Sequence, residues 1–268
     1  MISKKIRKFL RANFIYLRSF FFKIPLPIFL FEFLEKINSI YLGKGWGSST
    51  IREEVKTCIK LLKKEPYIFI DIGANRGSYT QEILLNFPKI ECHIFEPSGQ
   101  NYNFLKNLFK NNKNVKINHL ALGEENCSGT LFSNKFGSGL ASLTKRRLDH
   151  FGIEMKLKEE INLLRFDSYW CDDQRIIDYV KIDVEGHELD VLNGFGDLVL
   201  NTKLIQFEFG GCNIDTRTYF QDFWYFFLEK GFKIYRIAPK GKILITKYEE
   251  QHEYFLTTNY VAINDRFN

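Results

Sequence analysis

The sequence predicts an α/β protein, a mostly parallel, doubly wound sheet with helices on both faces. Three observations carry this. From residue 67 onward, short runs rich in Ile, Val, Phe and Tyr alternate with segments of helical period. Turn-forming residues separate them. Four of the strands end on or beside an acid, Asp71, Glu96, Asp183 and Glu208, and a parallel sheet gathers such ends along one edge. With 268 residues, 45% of them hydrophobic, the chain can bury the core of one such domain with an added segment.

The elements follow in order. The turn GKGWG (43–47) precedes a helix, capped by Ser49 or Thr50, that runs to about residue 64. YIFIDIG (67–73) is a buried strand, and 78–87 is a helix with Tyr79, Ile83, Leu84 and Phe87 on one face. IECHIFEP (90–97) is the second strand; Ser98 caps a helix to about residue 110, with Tyr102, Leu105 and Phe109 inward. VKINHLAL (115–122) is the third strand, and the Gly- and Ser-rich 129–144 is a hairpin or flexible loop. DYVKIDVEG (178–186) is the fourth parallel strand, followed by a helix over 188–195. LIQFEFG (204–210) is the fifth. A helix over 215–230 then buries the aromatic run FQDFWYFF against the sheet. Strands over 232–238 and 259–264 complete the chain, the last one antiparallel.

The formal charge of +6 is local. Residues 1–31 hold seven of the 38 Lys and Arg and no acid, which leaves 31 basic against 32 acidic residues elsewhere. A general basic face for nucleic acid is therefore not expected. The N-terminal segment (1–47) is set apart from the body (48–268) as a basic, aromatic helical arm. Lys23, Glu32, Pro25 and Pro27 interrupt its apolar run, so it lacks the ~20 nearly uninterrupted apolar residues of a span. No small-residue cleavage site follows it. Two readings stand: residues 1–35 lie on an anionic membrane surface, or they dock on the domain. The five cysteines show no CxxC spacing and read as reduced thiols, which places the protein in the cytoplasm, at the inner face of the membrane if the arm binds lipid.

The stretch IFIDIGANRGSYT (68–80) carries the chemistry. It lacks the GxxxxGK[ST] of a P-loop. Against a dinucleotide fingerprint, Gly73 and Gly77 are present, but Asn75 takes the place of the middle glycine that lets the backbone approach a pyrophosphate. A row of acids at the strand ends suits a ligand with hydroxyls, amines or a positive charge. S-adenosylmethionine has these features and no pyrophosphate. Asp71 then fits its amino-acid end, and Glu96, 23 residues after Gly73, lies at the spacing from which an acid reaches ribose hydroxyls. An NAD-dependent oxidoreductase and a non-catalytic binding protein on the same fold are the competing readings.

IDIGANRG, IFEP, the ALG after the third strand and above all VKIDVEGHELDVLNG resemble the FkbM-type methyltransferase family over about residues 66–265. The resemblance implies a seven-stranded class I methyltransferase sheet, S-adenosylmethionine as donor, and O-methyl transfer to a sugar, glycan or related hydroxylated metabolite. It implies that Asp71, Gly73, Asn75, Gly77, Thr80, Glu96, Ala121 and Asp183 hold the cofactor. Transfer to a weakly nucleophilic hydroxyl needs a base, and the candidates are His187, Glu185 and Glu208. His187 also reads as a helix-start residue, and Asp183 with Glu208 as a site for a divalent ion that gathers acceptor hydroxyls. Arg146 and Arg147, with Lys145, have two readings, a site for an anionic acceptor and, the simpler, a solvated turn.

Overall fold

The computed structural model describes residues 27–47 and 50–267. The chain divides after Ser39. Helix α1 (Ile28–Tyr41) begins before that point and buries no side chain. The expectation for residues 1–35 lies mostly outside the described residues. Among the described residues no helix is long and apolar enough to cross a membrane.

The body is built on an eight-stranded sheet. In chain order its strands are β1 (Ile68–Ile72), β2 (Glu91–Phe95), β3 (Val115–Asn118), β7 (Ile177–Ile182), β8 (Thr202–Phe209), β9 (Phe232–Ala238), β10 (Gly241–Leu244) and β11 (Thr258–Asn264). Their order across the sheet is β10-β9-β11-β8-β7-β1-β2-β3. The pairings from β3 to β8 are parallel, and β11 joins β8 and β9 antiparallel. The expected sheet had seven strands. The eighth, β10, is a short return of the chain along β9. Chain order reverses between β1 and β7, so the switch point lies there.

Strand β1 is buried at all five positions, and β7 at all six. Both faces of these central strands are therefore covered. On one face lie α2 (Ile51–Leu62), α3 (Ser78–Asn86) and α4 (Gly99–Leu108), with Val55, Cys58, Leu61, Ile83 and Leu105 inward. On the other lie α5 (Phe166–Tyr169), α6 (Glu188–Gly194) and α8 (Phe220–Glu229). Phe220, Phe223, Trp224 and Phe227 recur at helical spacing and are buried, as expected for that run. Phe207 stacks on Phe223 at 4.9 Å and on Tyr260 at 5.5 Å.

Three local expectations are corrected. The helix over 215–230 is two helices, α7 (Cys212–Thr216) and α8, because Arg217 adopts φ 58°. VKINHLAL is not one strand: β3 stops at Asn118, and β4 (Ala121–Leu122) leaves for a second sheet. That sheet has the order β4-β6-β5, with β5 (Cys127–Ser133) and β6 (Leu157–Leu164) antiparallel. The loop between β5 and β6 returns to the ends of β1 and β7. Ser98 stands at the start of α4 but makes no side-chain cap bond; its backbone N–H instead donates to Glu96 Oε1 at 2.9 Å.

Candidate active site

The site grows from the switch point. Gly73 follows β1 with φ 81°, and a Cβ there would stand 1.9 Å from the Asp183 carbonyl oxygen. Only glycine lets the two strand ends come this close. Asn75 takes φ 50°, the left-handed conformation that asparagine tolerates better than most residues. It thus supplies the turn that a glycine would have made. Gly77 opens α3 at φ 73°, where a Cβ would meet Leu105 at 2.8 Å.

Two carboxylates brace this loop. The Thr80 hydroxyl donates to Asp71 Oδ2 at 2.5 Å, and Asp71 is 1% exposed. Burial pushes the Asp71 carboxyl up to about 6, against the Thr80 bond and the Lys181 charge. The Asn75 N–H donates to Glu96 Oε2 at 2.7 Å, while Ser98 N–H holds the other oxygen. Burial pushes Glu96 up to about 7, with those backbone bonds pulling the other way. Each Glu96 oxygen therefore keeps acceptor capacity beyond one N–H bond.

A cleft opens beside this loop, lined by Gly73, Asn75, Glu96, Asn101, Leu120, Ala121, Ser138, Asp183, Glu185 and His187, among others. A second cleft shares Gly73, Asn75, Gly139, Asp183 and Glu185 with it and continues to Arg146, Phe151, Glu208, Phe255 and Leu256. The structure thus brings Gly73, Asn75, Glu96, Ala121, Asp183, Glu185 and His187 to one cleft and Glu208 to its neighbour. Asp71, Gly77 and Thr80 support the loop from behind.

Glu185 sits at the junction with φ 55°, a strained conformation for a non-glycine residue. Arg146 forms an ion pair with its carboxylate, and the Ser142 hydroxyl donates to its carbonyl at 2.8 Å. Burial and the Asp183 charge push Glu185 up to about 8, with Arg146 opposing. Glu208 is pushed up by burial and by Asp183 and Glu185, against Lys181. His187 has both ring nitrogens engaged: Nδ1 lies 2.6 Å from Asp190 Oδ2, and Nε2 lies 3.0 Å from the Thr144 hydroxyl. It stands where α6 begins. Among the described residues, no group of three or more His, Cys, Asp or Glu is placed to hold a metal ion.

Arg146 is not part of a solvated turn. Its side chain is 9% exposed, paired to Glu185 and 3.5 Å from Asp215. Arg147 does remain exposed. The sequence reading also missed Lys181, 4% exposed, whose Nζ lies 3.3 Å from Asp183 Oδ2. Its signal was a charged pair two residues apart, Lys181 and Asp183, at the end of a buried strand; such residues share one face. His119 stacks on Tyr102 at 4.3 Å, and His93 is buried between Glu91 and Tyr169.

Residues 71–234 match the model of the methyltransferase FkbM domain, and the chain belongs to that family of S-adenosylmethionine-dependent methyltransferases. A relative, Methyltransferase sdnD of Sordaria araneosa, is 30% identical over 208 residues, covering 65% of this chain and 76% of its own. Among solved structures, the plantazolicin methyltransferase BamL, in complex with a triazolic desmethylPZN analog and SAH, aligns with a TM-score of 0.49 at 12% identity, over 81% of this chain and 86% of its own. An O-methyltransferase from Bacillus cereus in complex with SAH aligns at 0.44 and 12% identity, over 91% and 93%. No residue role carries over from these two structures.

The cleft residues fit S-adenosylmethionine. The donor is a net cation, and the clefts are rich in carboxyl groups. Buried Asn101, which lines the first cleft, has its Oδ1 without a hydrogen-bond partner among the described residues, an acceptor suited to a hydroxyl or amine. The left-handed Gly73 and Asn75 allow a ligand close to the backbone.

Proposed function

We propose that this methyltransferase acts on oxygen, on a hydroxyl of a sugar, a glycan or a related hydroxylated metabolite. The observation that carries the reading is the meeting of two clefts at Asp183 and Glu185. The first cleft takes the donor. There Glu96 receives the ribose hydroxyls, Ala121 borders the adenine, Gly73 and Asn75 supply backbone approach, and Asp183 faces the cationic end. Asp71, Gly77 and Thr80 keep the loop in shape. Bound S-adenosylmethionine supplies a methyl group activated by its sulfonium.

The second cleft takes the acceptor. Its acids, Glu185 and Glu208, accept hydrogen bonds from hydroxyls, and Glu185 withdraws the proton of the reacting one. Holding the acceptor oxygen in line is the larger contribution. His187, tied to Asp190 and Thr144, positions the turn that carries Glu185.

The test is a panel of neutral glycosides, primary amines and carboxylic acids, incubated with the enzyme and donor labelled in its methyl group. Label should enter glycosides or other hydroxyl compounds as an alkali-stable ether. Label confined to amines or acids would overturn the reading.

A further inference from the structure

Helix α1 stands outside the machinery of methyl transfer. Pro27 sits just before its start, where a fixed φ suits a helix. Glu32 lies one turn before Lys36, the order that supports a helix. At helical spacing its residues divide into two sides. Phe29, Phe33, Leu34, Ile37 and Ile40 fall on one, and Glu32, Glu35, Lys36 and Ser39 on the other. The apolar side is open: Phe29 is 68% exposed, Phe33 57% and Ile37 46%. A helix of this length is marginal in water on its own, and an open apolar side of this extent marks a surface that meets a partner.

The charge of the chain around it selects the partner. Residues 1–31 carry seven Lys and Arg and no Asp or Glu. A block of positive charge in the sequence thus leads directly into an exposed apolar side. A nucleic acid would take up the charge and leave the apolar side in water. A second copy would cover the apolar side but bring two such charged segments together. Half the surface of a helix about 21 Å long and about 10 Å wide also falls well short of the ~800 Å² per partner of a stable dimer. An anionic lipid surface uses both features: its phosphates meet the cations, and its acyl boundary receives Phe and Ile.

We propose that α1 lies in the surface of an anionic membrane, its apolar side toward the acyl chains, with the basic residues before it held at the headgroups. Either signal alone gives weak, reversible attachment, and the two together give a stable one. The side that carries Glu32 and Glu35 then faces water, which keeps these acids away from the lipid phosphates. Among the described residues no helix is long and apolar enough to cross a membrane, so α1 lies along the surface. This role is separate from methyl transfer and holds whichever acceptor is used.

Vesicle co-sedimentation with the full chain tests this. Two compositions are compared, phosphatidylcholine alone and phosphatidylcholine with about 30% phosphatidylglycerol. The wild-type protein should partition to the anionic vesicles at least about tenfold more strongly than to the neutral ones. Raising the salt from about 0.1 M to about 0.5 M should weaken that binding severalfold. Phe33→Ser with Ile37→Ser should lower partition to anionic vesicles by about tenfold or more. Lys4→Gln, Lys5→Gln, Arg7→Gln and Lys8→Gln together should remove most of the preference for them. Both variants should keep the wild-type urea midpoint. Failure of the wild type to bind either vesicle, or equal binding to both, would overturn the proposal, and that comparison needs no variant. Unchanged binding by the Phe33→Ser, Ile37→Ser variant would overturn it by leaving charge alone as the cause. A lower urea midpoint in that variant would overturn it in favour of a helix docked on the domain. A wild-type dimer in analytical ultracentrifugation that the same variant loses would overturn it in favour of a second copy.

Discussion

Glu185→Gln is expected to lower turnover by about 10²–10⁴-fold, the usual worth of a positioned base, while donor affinity changes by no more than a few-fold. The substitution keeps the shape of the side chain at the junction of the clefts, together with the Ser142 bond to the backbone carbonyl. It removes the charge that accepts the proton and that pairs with Arg146, which keeps its contact with Asp215. Single-turnover measurements, with an acceptor found by the panel described above, separate the two effects. The pH dependence has a defined sign. Burial pushes Glu185 up to about 8, with Arg146 opposing, so the ionised base gains population as pH rises and turnover rises with it. Bringing a cationic donor beside Asp183 favours the ionised form, which moves the midpoint in the ternary complex below that value. A rate independent of pH from 6 to 9, or a Gln variant with full activity, would transfer the role to Glu208 or His187.

Gly73→Ala should remove donor binding and destabilise the protein by about 3 kcal/mol or more. Two costs add. The residue holds φ 81°, which a side chain opposes. The added methyl would stand 1.9 Å from the Asp183 carbonyl oxygen, a contact with backbone that no rotamer can relieve. To accommodate it, β1 and β7 must separate at their ends, and that separation displaces Asp183 from the site. Urea unfolding gives the stability, and titration of S-adenosylhomocysteine gives the binding. A variant with wild-type stability and affinity would show that the two strand ends do not meet as described.

Much of this site was legible because the chemistry sits where strands stop. Asp71, Glu96, Asp183 and Glu208 could be placed on one edge from strand ends alone, since a parallel sheet leaves them no other place. The Gly73 and Gly77 turns were readable from their spacing. What stayed hidden depends on contacts distant in sequence. Arg146 looked like one residue of a basic turn, and only the fold brings it to Glu185, 39 positions away. Asn75 was read as a missing glycine, whereas the backbone uses it at φ 50° in a left-handed turn. The break in VKINHLAL was invisible to its pattern, because an apolar run does not say when a strand changes sheet.

The central claim is that the donor lies at the β1–β7 switch point, held through Glu96. Its most direct test is calorimetric titration of S-adenosylhomocysteine and, separately, NAD into the wild-type protein and Glu96→Gln. Gln keeps an acceptor for one backbone N–H and loses the charged acceptor proposed for the ribose hydroxyls. Micromolar binding of S-adenosylhomocysteine, at least tenfold weaker in the variant, with no binding of NAD, is the predicted result. Unchanged affinity in Glu96→Gln, or binding of NAD in place of S-adenosylhomocysteine, would contradict it.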